Sequence, residues 1–254
     1  MKKALTPSPE KQSRIVTFSE PSKLFAGMID KFILLEGKDY ESQRHEVLPK
    51  TNFRLVFTIN TTRPGLVFLG PNTKMRTHPL QDYFVVHFLP GMMPHFADLR
   101  PTDLTEKFIP LRNVLGTETS TLVDTIESTK NFEARQQFME EFFRRSRLEA
   151  AFREGPHTNA VQMVRSCHGQ ITVNELAKQL GSNIRTIERI FLDRVGLTPK
   201  KFIRLIRFQY ALQKIQRNDS FTNLADLAYD CGYTDQSHLI KDFKSFSHRS
   251  PSRI

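Results

Sequence analysis

The spacing of apolar positions changes near residue 155, from short strand-like runs to the three-and-four spacing of helices. Before that point, residues 53–60 (FRLVFTIN), 65–69 (GLVFL) and 83–89 (YFVVHFL) are rich in β-branched and aromatic residues and bounded by Pro, Gly or Asn. Such runs predict strands, because branched and aromatic side chains pack well on a pleated surface. Residues 122–128 and 132–152 predict helices. The second is amphipathic, with Phe132, Phe138, Phe142 and Leu148 among its apolar positions. Gly155-Pro156 then interrupts the chain, which divides into residues 1–155 and 156–254. The first ~15 residues, polar and Pro-containing, read as a loose tail.

Helix signals follow closely after that boundary. Thr172-Val173-Asn174-Glu175 is a capping box, in which the hydroxyl and the carboxylate each accept from an otherwise orphaned N–H. The helix it opens turns Val173, Leu176, Ala177 and Leu180 to one side and stops at Gly181. Asn183 can cap the next helix, which places Ile187, Ile190, Phe191 and Leu192 inward and Arg185, Glu188 and Arg189 outward. Gly196 ends it, and Thr198-Pro199 starts a longer one with Pro in its first position. That helix runs to about Gln216, with Phe202, Leu205, Ile206, Tyr210 and Leu212 at helical spacing.

The arrangement then repeats. Leu176-Ala177 and Gly181 match Leu227-Ala228 and Gly232 at a shift of 51; Ile187, Arg189 and Phe191 match Leu239, Lys241 and Phe243 at a shift of 52, as Pro199 matches Pro251. A short helix, a glycine turn and a second helix with polar residues outward is the helix-turn-helix design. One copy is weak evidence, since many helical hairpins look alike; two copies in one domain are far more specific. The connecting helix of 18 residues spans about 27 Å at 1.5 Å per residue. With its end turns it can hold two recognition helices about 34 Å apart, one turn of B-DNA.

Composition sharpens this picture. The net charge is +10, and residues 156–254 carry 15 Lys and Arg against 8 Asp and Glu, the rest 22 against 19. A basic half beside a nearly balanced one is the footprint of a polyanion-binding domain fused to another module, although solvated surface charge gives the same count. No run approaches the roughly 18 apolar residues that cross a bilayer, so a cytoplasmic, nucleoid-associated address without membrane partners is expected. Two cysteines, Cys167 and Cys231, build neither a disulfide framework nor a four-ligand zinc site, and both read as small buried hydrophobes.

The residues from about Gly169 to Pro251 resemble the AraC/XylS family of bacterial regulators. The carriers are LAKQLGSNIRTIERIF (176–191), GLTPKKFIRLIRFQYAL (196–212) and LADLAYDCGYTDQSHLIKDFK (224–244), of which Gly232-Tyr233-Thr234-Asp235-Gln236-Ser237-His238 is the most specific. The family's glycine after the second recognition helix is His248 here, and the chain ends three residues after Pro251. More loosely, VLPKTNFRLVF (47–57), VFLGP (67–71), VVHFLPGMMPHF (85–96) and LTEKFIPL (104–111) resemble a sensor-like domain found in one branch of the family. That branch usually has Arg where His87 and Leu89 stand, so a ligand role for those Arg does not transfer. The expected fold class is α+β. An N-terminal domain on a mixed β-sheet, cupin-like in one version, precedes an all-α domain of two helix-turn-helix units joined by a long helix.

The resemblance implies a transcription regulator, an activator by expectation, whose partners are promoter DNA and RNA polymerase, with a small-molecule effector and a second copy of the chain as further partners. Base contacts are expected from Arg185, Glu188 and Arg189 in the first unit and Gln236, Ser237, His238 and Lys241 in the second. Arg can grip guanine O6 and N7 together, Glu can accept from cytosine N4, and Gln can pair with adenine. Phosphate contacts are expected from Lys200, Lys201, Arg204, Arg207 and Lys244 and from the helix starts at Asn183 and Thr234. Arg207 competes with a role inside the domain, paired to an acid. Arg76, His78, Tyr83 and His87 are candidates for lining a ligand pocket.

Three rival readings fit parts of the sequence. A cupin-type metal enzyme would draw on His45, His78, His87 and His95, but such sites need a close His-x-His pair, and the sequence has none. An alkylation-repair protein needs a four-cysteine zinc cluster, which two cysteines exclude. A co-regulator working through protein contacts would use the amphipathic helix at 132–152. No cofactor, metal site or catalytic residue is expected.

Overall fold

Asp82–Phe88 (β7, DYFVVHF) is buried at every position, which requires a sheet with both faces covered. The computed structural model describes residues 14–37, 44–79, 81–93, 99–115, 118–146, 156–217, 219 and 221–254. In it β7 lies between β2 (Ile29–Gly37) and β4 (Arg54–Ile59). The sheet extends to β1 (Arg14–Ser19), β5 (Gly65–Leu69) and β8 (Phe108–Pro110) in the order β1-β2-β7-β4-β5-β8. A separate two-stranded sheet pairs β3 (Arg44–Val47) with β6 (Arg76–Pro79). Every strand pairing among the described residues is antiparallel, so what is mixed in this domain is helix with strand.

Successive strand residues point to opposite faces. Phe32, Leu55, Phe57, Phe84, Val86 and Phe88 enter one core. It is closed by α3 (Glu118–Ser128) and α4 (Phe132–Arg145) through Leu122, Ile126, Phe132, Met139 and Phe143. Phe88 meets Phe143 edge-on with ring centroids 5.8 Å apart. The alternate positions, Lys31, Arg54, Tyr83, Val85 and His87, occupy the opposite face. Two short helices, α1 (Pro101–Leu104) and α2 (Arg112–Leu115), flank β8.

The helices α5 (Pro156–Ser166), α6 (Val173–Gln179), α7 (Ile184–Arg194), α8 (Pro199–Gln216), α9 (Leu224–Asp230) and α10 (Gln236–Ser247) build a second core. Leu176, Ile187, Phe191, Phe202, Phe208, Leu227, Leu239 and Phe243 lie in it. The two cores share no buried residue, yet the two parts touch at several points. Leu48 packs on the helical core. Gln209 Nε2 donates to Pro49 O at 2.9 Å, and Met75 N donates to Phe246 O at 2.9 Å. Thr105 Oγ1 donates to Gly196 O at 2.6 Å, where a Cβ on Gly196 would meet Pro101 O at 2.6 Å.

The strands anticipated at 53–60, 65–69 and 83–89 are β4, β5 and β7; β1, β2, β3, β6 and β8 were not anticipated. The helix expected at 122–128 begins at Glu118, and the one expected at 132–152 is described through Arg145, with Leu148 outside the described residues. Residues 147–155, next to the expected domain boundary, and His95 also lie outside them. Leu192, expected inward, is 36% exposed, because at 100° per residue it sits well round the helix from Ile187 and Phe191. Cys231 is buried, and burial pushes its thiol up to about 11, whereas Cys167, expected to be buried as well, is only half-buried.

Candidate nucleic-acid interface

The turn that joins each helix pair opens on the same hydrogen bonds, although the second turn is one residue longer. In the first unit Gly181 N donates to Lys178 O and Ser182 N to Ala177 O; in the second, Gly232 N donates to Tyr229 O and Tyr233 N to Ala228 O. The bonds span three and five residues in both copies, and both glycines take positive φ, 59° and 71°, where a side chain would be strained. The capping box is formed: Glu175 N donates to Thr172 Oγ1 at 3.2 Å and Thr172 N to Glu175 Oε2 at 2.8 Å. The sequence repeat is therefore a repeat of hydrogen bonds as well as of side chains.

The second helix of each unit presents its polar face. Asn183 caps α7, accepting from Thr186 N, while Ile187 and Phe191 are buried and Arg185, Glu188 and Arg189 are exposed. In α10, Leu239 and Phe243 are buried, Gln236, Ser237 and Lys241 are exposed, and His238 is half-buried. The cap of α10 is Asp235, accepting from His238 N at 2.8 Å, one residue beyond the expected Thr234. An acidic side chain therefore stands at this helix start. Thr234 instead faces His238, its Oγ1 3.5 Å from Nδ1.

The cations of α8 divide into two groups. Lys200 and Lys201 are exposed, and among the described residues no carboxylate lies within ion-pair distance of them, nor of Arg185, Arg189, Lys241 or Lys244. Arg204 and Arg207 are held inside the domain. Arg204 pairs with the fully buried Asp242 of α10. Arg207 donates from Nε and Nη2 to Gly169 O at 2.9 and 2.6 Å and lies over the Tyr233 ring. Its partners inside the domain are thus a backbone carbonyl and a ring, and not the acid weighed as the alternative to a phosphate contact. Burial, and then the nearby Asp242 carboxylate, hold the Tyr233 hydroxyl far above its usual range. These contacts fix the second unit against α8. A cleft of about 440 Å³ opens between the units, lined by Thr172, Lys200, Arg204, Arg207, His238 and Lys241. The sequence marks Thr172 only as a cap; its place in the cleft comes from the packing of the two units.

The four residues proposed for a ligand pocket lie on two different sheets, Arg76 and His78 on β6 and Tyr83 and His87 on β7. Arg76 pairs with Glu106 at 3.2 Å, and Tyr83 Oη donates to Pro79 O at 3.1 Å. His87 meets the amide of Asn52 at 3.0 Å. Among the described residues no group of three or more His, Cys, Asp or Glu could hold a metal ion.

Two turn-matched helix pairs on one shared helix define a double helix-turn-helix module. Residues 176–254 match the family described as "Helix-turn-helix domain", and residues 17–110 match a "Domain of unknown function (DUF6597)". The HTH-type transcriptional activator RhaS of Mannheimia succiniciproducens is 30% identical over 85 residues, 34% of this chain and 31% of that protein. RhaS of Escherichia coli (strain SE11) is 26% identical over 85 residues, 34% of this chain and 30% of that one. The chain spans about a third of the length of the curated relatives it matches. ToxT from Vibrio cholerae superposes with a TM-score of 0.40 at 14% identity, over 95% of this chain and 97% of that one. A likeness that distant decides nothing. Residues 176–254 form a helix-turn-helix domain of the kind that family model describes.

Proposed function

We propose that the chain is a sequence-specific DNA-binding transcription regulator, an activator in output, that reads two successive major-groove segments of a promoter. The observation that carries this reading is the pair of matching units on one 18-residue helix, with exposed cations on their outer faces that no carboxylate pairs with among the described residues. Arg185, Glu188 and Arg189 read bases in one groove segment, and Gln236, Ser237, His238 and Lys241 in the next. Lys200, Lys201 and Lys244 hold phosphates, together with the N-terminus of α7 at Asn183. Residues 156–254 form the DNA-binding domain, and residues 1–155 a sensor or dimerisation module. RNA polymerase, a small-molecule effector and a second copy of the chain are its further partners. Among the described residues no helix is long and apolar enough to cross a membrane, in keeping with a cytoplasmic regulator.

Selection of bound duplexes from a random pool by the purified full chain tests this. The expected product is a motif of two blocks about 10 base pairs apart centre to centre. A single block, or recovery of unrelated sequences, contradicts the two-segment reading.

A further inference from the structure

On the face of the sheet turned away from α3 and α4, basic side chains stand in a row. His87 of β7 is the register partner of Lys31 on β2 and of Arg54 on β4, so the three lie side by side across neighbouring strands. Lys50 joins them from the segment bridged to Asn72 by a pair of backbone hydrogen bonds of 3.0 and 2.9 Å. Like charges directly opposite one another destabilise a sheet, and a buried cation without a counter-charge costs more still. Arg54 is only 6% exposed and His87 only 9%.

Ordinary compensation is thin. Lys31 has Asp30 at 3.4 Å, but Asp30 also faces Arg165 at 3.7 Å. Among the described residues no carboxylate pairs with Arg54 or Lys50. Arg54 Nη2 reaches only neutral acceptors, Gly70 O at 3.1 Å and Asn72 Oδ1 at 2.9 Å. Its Nε is buried with no hydrogen-bond partner. Burial, with Arg54 next, holds His87 well below its usual range, so its imidazole is neutral. With Nδ1 accepting from the Asn52 amide at 3.0 Å, the ring carries its proton on Nε2 and offers a donor there. Burial, with Arg54 next, lowers Lys50 to about 8. On β7, Tyr83 and Val85 continue the same face as an apolar wall beside this group of donors.

We propose that this face holds a binding site for a small organic oxyanion, a carboxylate or a phosphate, gripped by Arg54, Lys50 and His87. A guanidinium and an ammonium supply charge, the imidazole supplies a neutral donor, and the unused Arg54 Nε finds its acceptor in the anion. The site lies next to the seam with the helical domain. Leu48 packs on the helical core, and Pro49 O accepts from Gln209 of α8, the helix that spaces the two recognition helices. An anion held by Lys50 is therefore felt one residue from a contact to that helix. Only this last consequence rests on the DNA-binding reading; anion binding stands or falls without it.

The test is thermal unfolding of the full chain in sodium phosphate and in sodium benzoate, each against sodium chloride at equal ionic strength. At least one probe should raise Tm saturably, by about 5 °C or more at a hundredfold excess over its Kd. The larger response identifies the headgroup. Lys50→Met and Arg54→Met should each abolish the response, while Lys200→Ala/Lys241→Ala, on the helical domain, should keep it. Lys50 is only half-buried, so its variant should fold even if the Arg54 variant does not. No saturable response to either probe overturns the proposal. So does a response that survives Lys50→Met and disappears in Lys200→Ala/Lys241→Ala, which would place the anion on the DNA-binding face.

Discussion

His248 closes α10 with φ 59°, in the left-handed region that costs an L-residue with a side chain roughly 1–2 kcal/mol. Its side chain is exposed, so His248→Gly should relieve strain without losing a contact. A gain of about 1 kcal/mol, read as a rise of about 2–4 °C in Tm, is expected. Arg204→Ala has the opposite sign, because it leaves the buried Asp242 carboxylate without its partner. A loss of about 3 kcal/mol is expected in a denaturant titration, the low end for a broken buried pair because the guanidinium is a third exposed. Lys50→Met should stabilise the anion-free protein, and that gain should depend on pH. The unfolded chain keeps the Lys50 proton up to the usual 10.5, whereas the folded protein releases it at about 8. Wild type therefore gains stability as pH rises through that interval, so the advantage of the variant should be full at pH 7 and shrink toward pH 10. The His248 departure was legible in the sequence only through the family resemblance, which marks that position as a glycine. The Lys31–His87–Arg54 row was not: it arises from strand register, and nothing in the local spacing of three distant segments announces it.

The helices of residues 156–254 were read almost completely because each carries its own local signals. Thr172 and Glu175 form the anticipated box, Asn183 the anticipated cap, and Pro199 opens α8. Strands carry weaker signals. β2 (IDKFILLEG) holds an apolar run that periodicity alone cannot assign to strand or helix, and β3 and β6 are four residues each. The seam between the two parts was also invisible, since it joins residues far apart in sequence. It makes the helical domain less independent than its motifs suggest. A fragment of residues 156–254 should fold as helix and bind DNA, but it lacks Leu48 and the partners of Gln209 and Gly196. Its Tm, followed by circular dichroism, should lie several degrees below that of the helical domain within the full chain. An equal or higher Tm would show that the seam contributes nothing to its stability.

At the scale of the whole molecule, the excess of positive charge and the double motif point the same way, and their joint consequence is salt dependence. Each phosphate neutralised releases counterions, so log Kobs should fall linearly with log salt at about −0.9 per phosphate contact. Charge alone does not make a sequence reader; side chains at base edges do. Arg189 lies in the middle of α7 and Lys201 in the first turn of α8; in the docking proposed above, the arginine fork would reach guanine and the lysine would lie nearer the sugar–phosphate wall. The most direct test is one titration series with wild type, Arg189→Ala and Lys201→Ala, on the selected site, its single-base variants and random duplex, each at several salt concentrations. Arg189→Ala should cost about 1–3 kcal/mol on the selected site and relax preference at one base pair. Lys201→Ala should weaken all duplexes alike and reduce the salt slope by about one unit. If Arg189→Ala instead weakens every duplex equally, α7 grips the backbone and does not read the groove, and sequence recognition by this helix is contradicted.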